Sequence, residues 1–146
     1  MEVSEEASEG YIDGLAQAVP FRFVDRVRFL DDSRAVTELR ARVMPYRFAD
    51  VEQVDTYSIL EFAAQSSGLI LRGRKHEGGR GVITSFTGVE RKTREKLRFP
   101  LRLESRLVED RWPLFGFSFQ VHEASELVFV GNVGIFIRRC NGTHRP

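Results

Sequence analysis

The stretch YSILEFAAQSSG, residues 57–68, decides the fold. Ile59, Leu60 and Phe62 are followed by the small residues Ala63, Ala64, Ser66, Ser67 and Gly68, a helix apolar nearly all round. The pattern predicts a helix over 55–72, with Asp55 as N-cap and Gly73 as C-cap. One carboxylate, Glu61, interrupts it. An unpaired buried charge costs several kcal/mol or becomes neutral, so a Glu at this place is a candidate for chemistry rather than for packing.

Working outward, the period changes from helical to two. Toward the N-terminus, residues 11–18 predict a short helix ending before Pro20. FRFVDRVRFL (21–30) puts Phe21, Phe23, Val27 and Phe29 on one side, and the turn-forming DDS leads into RAVTELRARV (34–43), where Ala35, Thr37, Leu39, Ala41 and Val43 alternate with polar residues. Asp25 falls on the apolar side, where a structural ion pair or hydrogen bond is expected. Beyond the helix and the turn KHEGGRG, strands are predicted at 82–89, 98–109, 114–122 and 127–137. In the second of these Phe99, Leu101, Leu103 and Leu107 alternate with Arg98, Arg102, Glu104 and Arg106, one face buried and one wet. One long helix among long alternating strands predicts an α+β architecture, a curved antiparallel sheet wrapped around a central helix, which is the hot-dog arrangement. A single such sheet leaves an edge to cover, so dimerisation is expected through the strand at 82–89 and the helix face near Gly68.

The chain has 146 residues and a hydrophobic fraction of 42%, enough for a single packed core. Residues 1–9 carry four Glu and no Lys or Arg and are expected to form a disordered acidic tail; 10–139 form the domain and 140–146 a C-terminal tail. The lone cysteine, Cys140, excludes an intrachain disulfide and any Cys/His metal spacing, so no metal and no cofactor are expected, in a reducing, cytoplasmic setting. No apolar run reaches membrane-spanning length, and the N-terminus is acidic, unlike a signal peptide. Basic residues cluster at Arg72, Arg74 and Lys75 and at Arg91, Lys92, Arg94, Lys96 and Arg98. They read as solvated loops or as a dock for an acidic partner; nucleic-acid binding is not expected, because no exposed aromatics interleave them.

The segments PFRFVDRV (20–27), LEFAAQSSG (60–68) and GVERKTREKLRFPLRLESRL (88–107), in this order, resemble the 3-hydroxyacyl-(acyl carrier protein) dehydratases of the FabA/FabZ type. The resemblance covers about residues 15–138 and is most specific in the Val-Asp-Arg segment and in Glu61-x-x-x-Gln65. It implies a hot-dog dimer in which a helix carboxylate and a histidine from the opposite subunit build each site. The histidine removes the C2 proton of a 3-hydroxyacyl thioester, and the carboxylate gives a proton to the departing hydroxyl. A carboxyl buried in an apolar tunnel stays protonated for that task. Glu61 matches the acid, with Gln65, Phe62, Arg47 and Phe48 lining the site, and Arg91, Lys92, Arg94 and Lys96 as a carrier-protein dock.

One part of the pattern is missing. The family places its histidine in His-Phe-Pro-Gly, fourteen residues before the helix Glu; here that position is Arg47 in RFAD, which is cationic and is no general base. His76, His122 and His144 sit in a glycine-rich turn, on the polar side of a strand end and in the C-terminal tail, none at the expected place. Three readings follow. The chain is the Glu-donating half of a heterodimeric dehydratase in fatty acyl or polyene-type polyketide biosynthesis, taking acyl carrier protein or CoA thioesters, its partner supplying the histidine. Alternatively it is a hot-dog thioesterase using Glu61 alone, or a non-catalytic stabilising subunit.

Overall fold

The computed structural model describes residues 1–13, 22–40, 56–73, 79–95 and 97–139. Six strands form one antiparallel sheet: β1 (Arg26–Leu30), β2 (Arg34–Leu39), β3 (Gly79–Arg91), β4 (Leu101–Arg111), β5 (Leu114–Glu123) and β6 (Glu126–Arg139), in the order β1-β2-β4-β5-β6-β3. Two helices accompany it, α1 (Glu5–Asp13) and the long α2 (Thr56–Gly73). The predicted long helix is therefore present and has no rival of comparable length among the described residues. Asp55 lies outside the described residues, as do 14–21, 41–55, 74–78, 96 and 140–146.

Strand alternation fixes which sheet face meets α2. Leu101, Leu103 and Ser105 of β4 and Phe115, Phe117, Phe119 and Val121 of β5 are buried on that face, and Val133, Ile135 and Ile137 continue it on β6. Phe119 and Phe129 stack with centroids 6.3 Å apart. Their neighbour Gly131 has to be glycine, since a Cβ there would come within 2.6 Å of the Phe119 ring. The phenylalanines are core filling. On the other face Arg34 donates from Nε and Nη2 to Glu104 Oε2 (3.1 and 2.7 Å), and Arg106 Nε donates to Oε1 (2.7 Å). Arg34 also lies over the Phe29 ring, 4.7 Å from its centroid.

The β1–β2 hairpin forms as predicted, but the alternation within β1 does not hold. A bulge between Val27 and Phe29 shifts the register, burying Val27 and Leu30 and leaving Phe29 half-exposed. At the turn, Asp31 Oδ1 accepts from the backbone N–H of Ser33 (2.9 Å) and of Arg34 (2.8 Å), which holds its carboxyl below the usual aspartate value. Asp25 makes the structural hydrogen bond expected of it, accepting from Arg40 N at 2.7 Å.

The acidic segment 1–9, for which a disordered tail is expected, carries the start of α1 and packs against β1. Val3 N donates to Arg28 O and Leu30 N to Met1 O, so the segment adds to the outer edge of β1. Val3 and Ile12 are buried, and Ser8 Oγ accepts from Val27 N at 2.7 Å. Composition missed this because two well-spaced apolar residues and one buried hydroxyl anchor the segment despite its charge. Of the short helix predicted over 11–18, residues 11–13 lie in α1, and the rest lie outside the described residues.

Glu104 carries a testable consequence. Partial burial pushes its carboxyl up, but the hydrogen bonds from Arg34 and Arg106 more than offset this and hold it below the ordinary 4.5. The ionised form is thus favoured in the folded state, and its stabilisation is present above pH 4.5 and disappears as the pH falls through the lowered value. Glu104→Gln lowers Tm by about 1–4 °C at pH 7, and the gap to the parent closes as the pH falls below 4.5 and through the lowered value, as read by thermal unfolding across pH.

Candidate active site

Helix α2 meets the sheet through small hydroxyl residues. Ser66 Oγ donates to its own helix at Phe62 O (2.8 Å), which leaves Thr37 of β2 to donate to Ser66 Oγ at 2.7 Å. Ser67 Oγ and Ser105 Oγ of β4 share a hydrogen bond of 2.7 Å. All four residues are fully buried. These pairs satisfy polar groups that would otherwise cost about 1–3 kcal/mol each when buried, and their small size lets the helix sit close to the strands. Inward hydroxyls at Thr37 and Ser105 in otherwise apolar alternation are the sequence signal for them.

Gln65 is pinned rather than free. Its Oε1 accepts from Phe23 N at 2.7 Å, and the residue is 4% exposed, so it ties the chain entering β1 to the middle of α2. Phe62 is fully buried in the core beneath the sheet. The resemblance implies that both line a site; in the fold, Gln65 holds the chain entering β1 and Phe62 belongs to the core.

Glu61 occupies the opposite side. Tyr57, Glu61, Gly68 and Arg72 follow helical spacing on one face, and none of them is buried. Glu61 is half-buried, not enclosed, and among the described residues it makes no hydrogen bond or ion pair. Ala64 and Gly68 keep that face low, and the position a Gly68 Cβ would occupy has nothing within 4 Å. The serines, not Gly68, mediate the approach of the sheet; Gly68 fronts open space. Tyr57, 55% exposed one turn before Glu61, is a neighbour that sequence reasoning passed over, although its spacing of four marks it. Arg47 and Phe48 lie outside the described residues, as do His76 and His144. His122 is half-buried at the end of β5, cross-strand from Arg102.

The basic loop after β3 is partly committed to itself. Arg91 donates from Nε to Thr93 O (2.9 Å) and from Nη2 to Glu95 O (2.6 Å), holding the turn closed. Lys92 Nζ lies 3.0 Å from Glu90. Arg94 is exposed, and Lys96 falls outside the described residues. A surface cleft of about 340 Å³ between α1 and the chain leading into β1, lined by Glu9, Ile12, Asp13, Arg22, Val24 and Asp25, contains no residue of α2.

No protein-family model matches the sequence, and no curated protein matches it. Solved structures do. The dehydratase heterocomplex ApeI:P from Xenorhabdus doucetiae is similar at a TM-score of 0.74 with 14% identity, over 93% of this chain and 92% of that one. A thioesterase from Haemophilus influenzae matches at 0.71 with 9% identity over 99% and 97%. A hypothetical thioesterase with coenzyme A from Streptococcus pneumoniae matches at 0.61 with 14% identity over 79% and 88%. The chain has the hot-dog fold. At these identities the likeness is one of fold, and it spans dehydratases and thioesterases alike.

The buried amide of Gln65 gives a direct check on this frame. Gln65→Leu leaves Phe23 N–H without its acceptor and lowers the free energy of unfolding by about 1–3 kcal/mol in urea titration, with Glu61 untouched.

Proposed function

We propose that this chain is the Glu-donating subunit of a heterodimeric 3-hydroxyacyl-thioester dehydratase of fatty acyl or polyene-type polyketide biosynthesis. The observation that carries the reading is the placement of Glu61: a carboxylate on the uncovered stripe of α2, unpaired among the described residues, beside the low surface of Ala64 and Gly68. A partner hot-dog subunit closing over that stripe would remove water from the carboxyl, and desolvation favours its protonated form. The fold likeness to a dehydratase heterocomplex supports the same assembly.

In the reaction, a histidine of the partner takes the C2 proton and the C2–H electron pair becomes the C2=C3 double bond. The C3–O bond breaks, and Glu61 gives its proton to the leaving hydroxyl, which departs as water. Arg47 stands where this chain would need its own base, so the second site of the heterodimer is inactive. The substrate reaches the site as a carrier-protein or CoA thioester.

Purified alone, the chain shows no dehydration of 3-hydroxyacyl thioesters. With a histidine-bearing hot-dog partner it supports turnover that falls about a hundredfold or more in Glu61→Gln while the complex still assembles. Full activity of the lone chain, or an unchanged rate in the Glu61→Gln complex, refutes the assignment.

The thioesterase likenesses favour a second reading, in which Glu61 activates water or attacks the acyl carbonyl without a histidine. Release of free thiol from acyl-CoA by the lone chain, abolished in Glu61→Gln, would establish it in place of the first.

Assembly is the common requirement of both. Strand β3 is the sheet edge, and none of residues 80–91 is buried, although Val82, Ile83, Phe86 and Val89 are apolar. A long apolar edge is a template for another strand. Ile83→Asp is expected to shift the protein, alone or with its partner, from dimer to monomer at micromolar concentration in sedimentation velocity, with little change in the far-UV spectrum.

A further inference from the structure

On the sheet face turned away from α2, several cations have carboxylate partners, while exposed Arg102 has none among the described residues. Arg34 and Arg106 share Glu104, Arg28 reaches Glu38, and Arg111 lies 3.5 Å from Glu109. Arg80 and Arg138 have none either. They are direct cross-strand partners of β3 and β6, both are exposed, and among the described residues neither has an ion pair or hydrogen bond. Like charges opposed across an antiparallel pair repel.

Beside them on the same face runs an apolar row, Val82–Phe136–Leu114, partner to partner across β3, β6 and β5. Val82 is 43% and Leu114 49% exposed, and Phe136 is half-buried. Trp112, at the β4–β5 turn, adds a further exposed aromatic. Three strands about 4.8 Å apart make this row roughly 10 Å wide, the diameter of one helix. Cross-strand side chains are about 5 Å apart, which matches carboxylates at i and i+4 on a helix.

We infer that this outer corner of the sheet docks an acidic amphipathic helix of a protein partner, its apolar stripe on Val82, Phe136 and Leu114 and two carboxylates on Arg80 and Arg138. The dock is separate from the chemistry at Glu61, and it places the acidic-partner surface at the β3–β6 corner rather than in the loop after β3, where Arg91 and Lys92 are already engaged. An anionic lipid surface fits less well. Glu109 lies on the next row of the same face, opposite Gly116, and a broad negative plane would meet it, whereas a single helix stays on the Arg80–Arg138 side.

The probe is a side-chain-stapled, fluorescein-labelled helical peptide with a Leu stripe flanked by Glu at i and i+4, titrated against the full chain by anisotropy. Binding is expected at low ionic strength, about tenfold weaker at roughly 0.5 M salt, and about tenfold or more weaker in Arg80→Ala/Arg138→Ala. The same peptide with Lys for Glu does not bind. Arg138→Glu separates docking from folding: it abolishes peptide binding yet raises Tm by about 1–3 °C, because it replaces a repulsive cross-strand pair with an attractive one. The proposal is overturned if the double alanine variant binds the Glu peptide unchanged, if the Lys peptide binds equally, or if Arg138→Glu lowers Tm. It is likewise overturned if phosphatidylglycerol vesicles retain the chain while the Glu peptide does not bind, which would make the corner a lipid contact.

Discussion

The structure depends on how closely α2 sits on the sheet. Ser66 against Thr37 and Ser67 against Ser105 bring helix and strands together through side chains of two or three heavy atoms, each hydroxyl satisfied by another. A larger residue at either serine would lift the helix, and an alanine would leave a buried hydroxyl across the seam without its partner. Because the seam is narrow, the large residues fall to its sides, where Ile59, Phe62, Leu69 and Ile70 meet the buried rows of the strands. Gln65 then fastens the chain entering β1 to the same helix, so the first hairpin takes its position from α2 as well as from its ladder with β4.

A helix seated in this way is buried over most of its surface. Among the described residues two surfaces stay incomplete: the stripe of α2 that carries Tyr57, Glu61 and Gly68, and the edge strand β3, which α2 also touches. The other end of the sheet is managed within the chain, since residues 1–3 line the edge of β1 and α1 closes over it. The contrast is physical: one edge is capped by the protein's own N-terminus, while the other offers apolar side chains and ladder groups with no cover among the described residues.

Much of this was legible in the sequence, for identifiable reasons. The helix was readable because its apolar spacing runs over eighteen residues, and β4 because Leu101, Leu103 and Leu107 alternate with charges. What escaped depends on contacts between distant segments. The bulge at Val27 adds one residue and turns Phe29 outward, which no strict period of two foretells. The ordering of residues 1–9 rests on Val3 and Ser8 reaching β1, against the weight of four glutamates. Gln65 and Arg91 read as functional by type, yet each is held to backbone atoms, one to Phe23 and the other to its own loop. Apolar spacing places Glu61 on the helix, and the resemblance implies an enclosed carboxylate; in the structure Glu61 is half-buried.

That half-open state has a chemical meaning. The role of acid proposed for Glu61 needs the carboxyl out of contact with water. Enclosure has to come from elsewhere, and within the described residues α2 has no element over the Glu61 stripe. Under the proposed function, assembly would supply that enclosure: a partner surface that covers α2 would also exclude water from Glu61. On the proposed reading the subunit needs no histidine of its own, because its partner would supply the base, and Arg47 at the position of the missing histidine is compatible with a site shared between two chains.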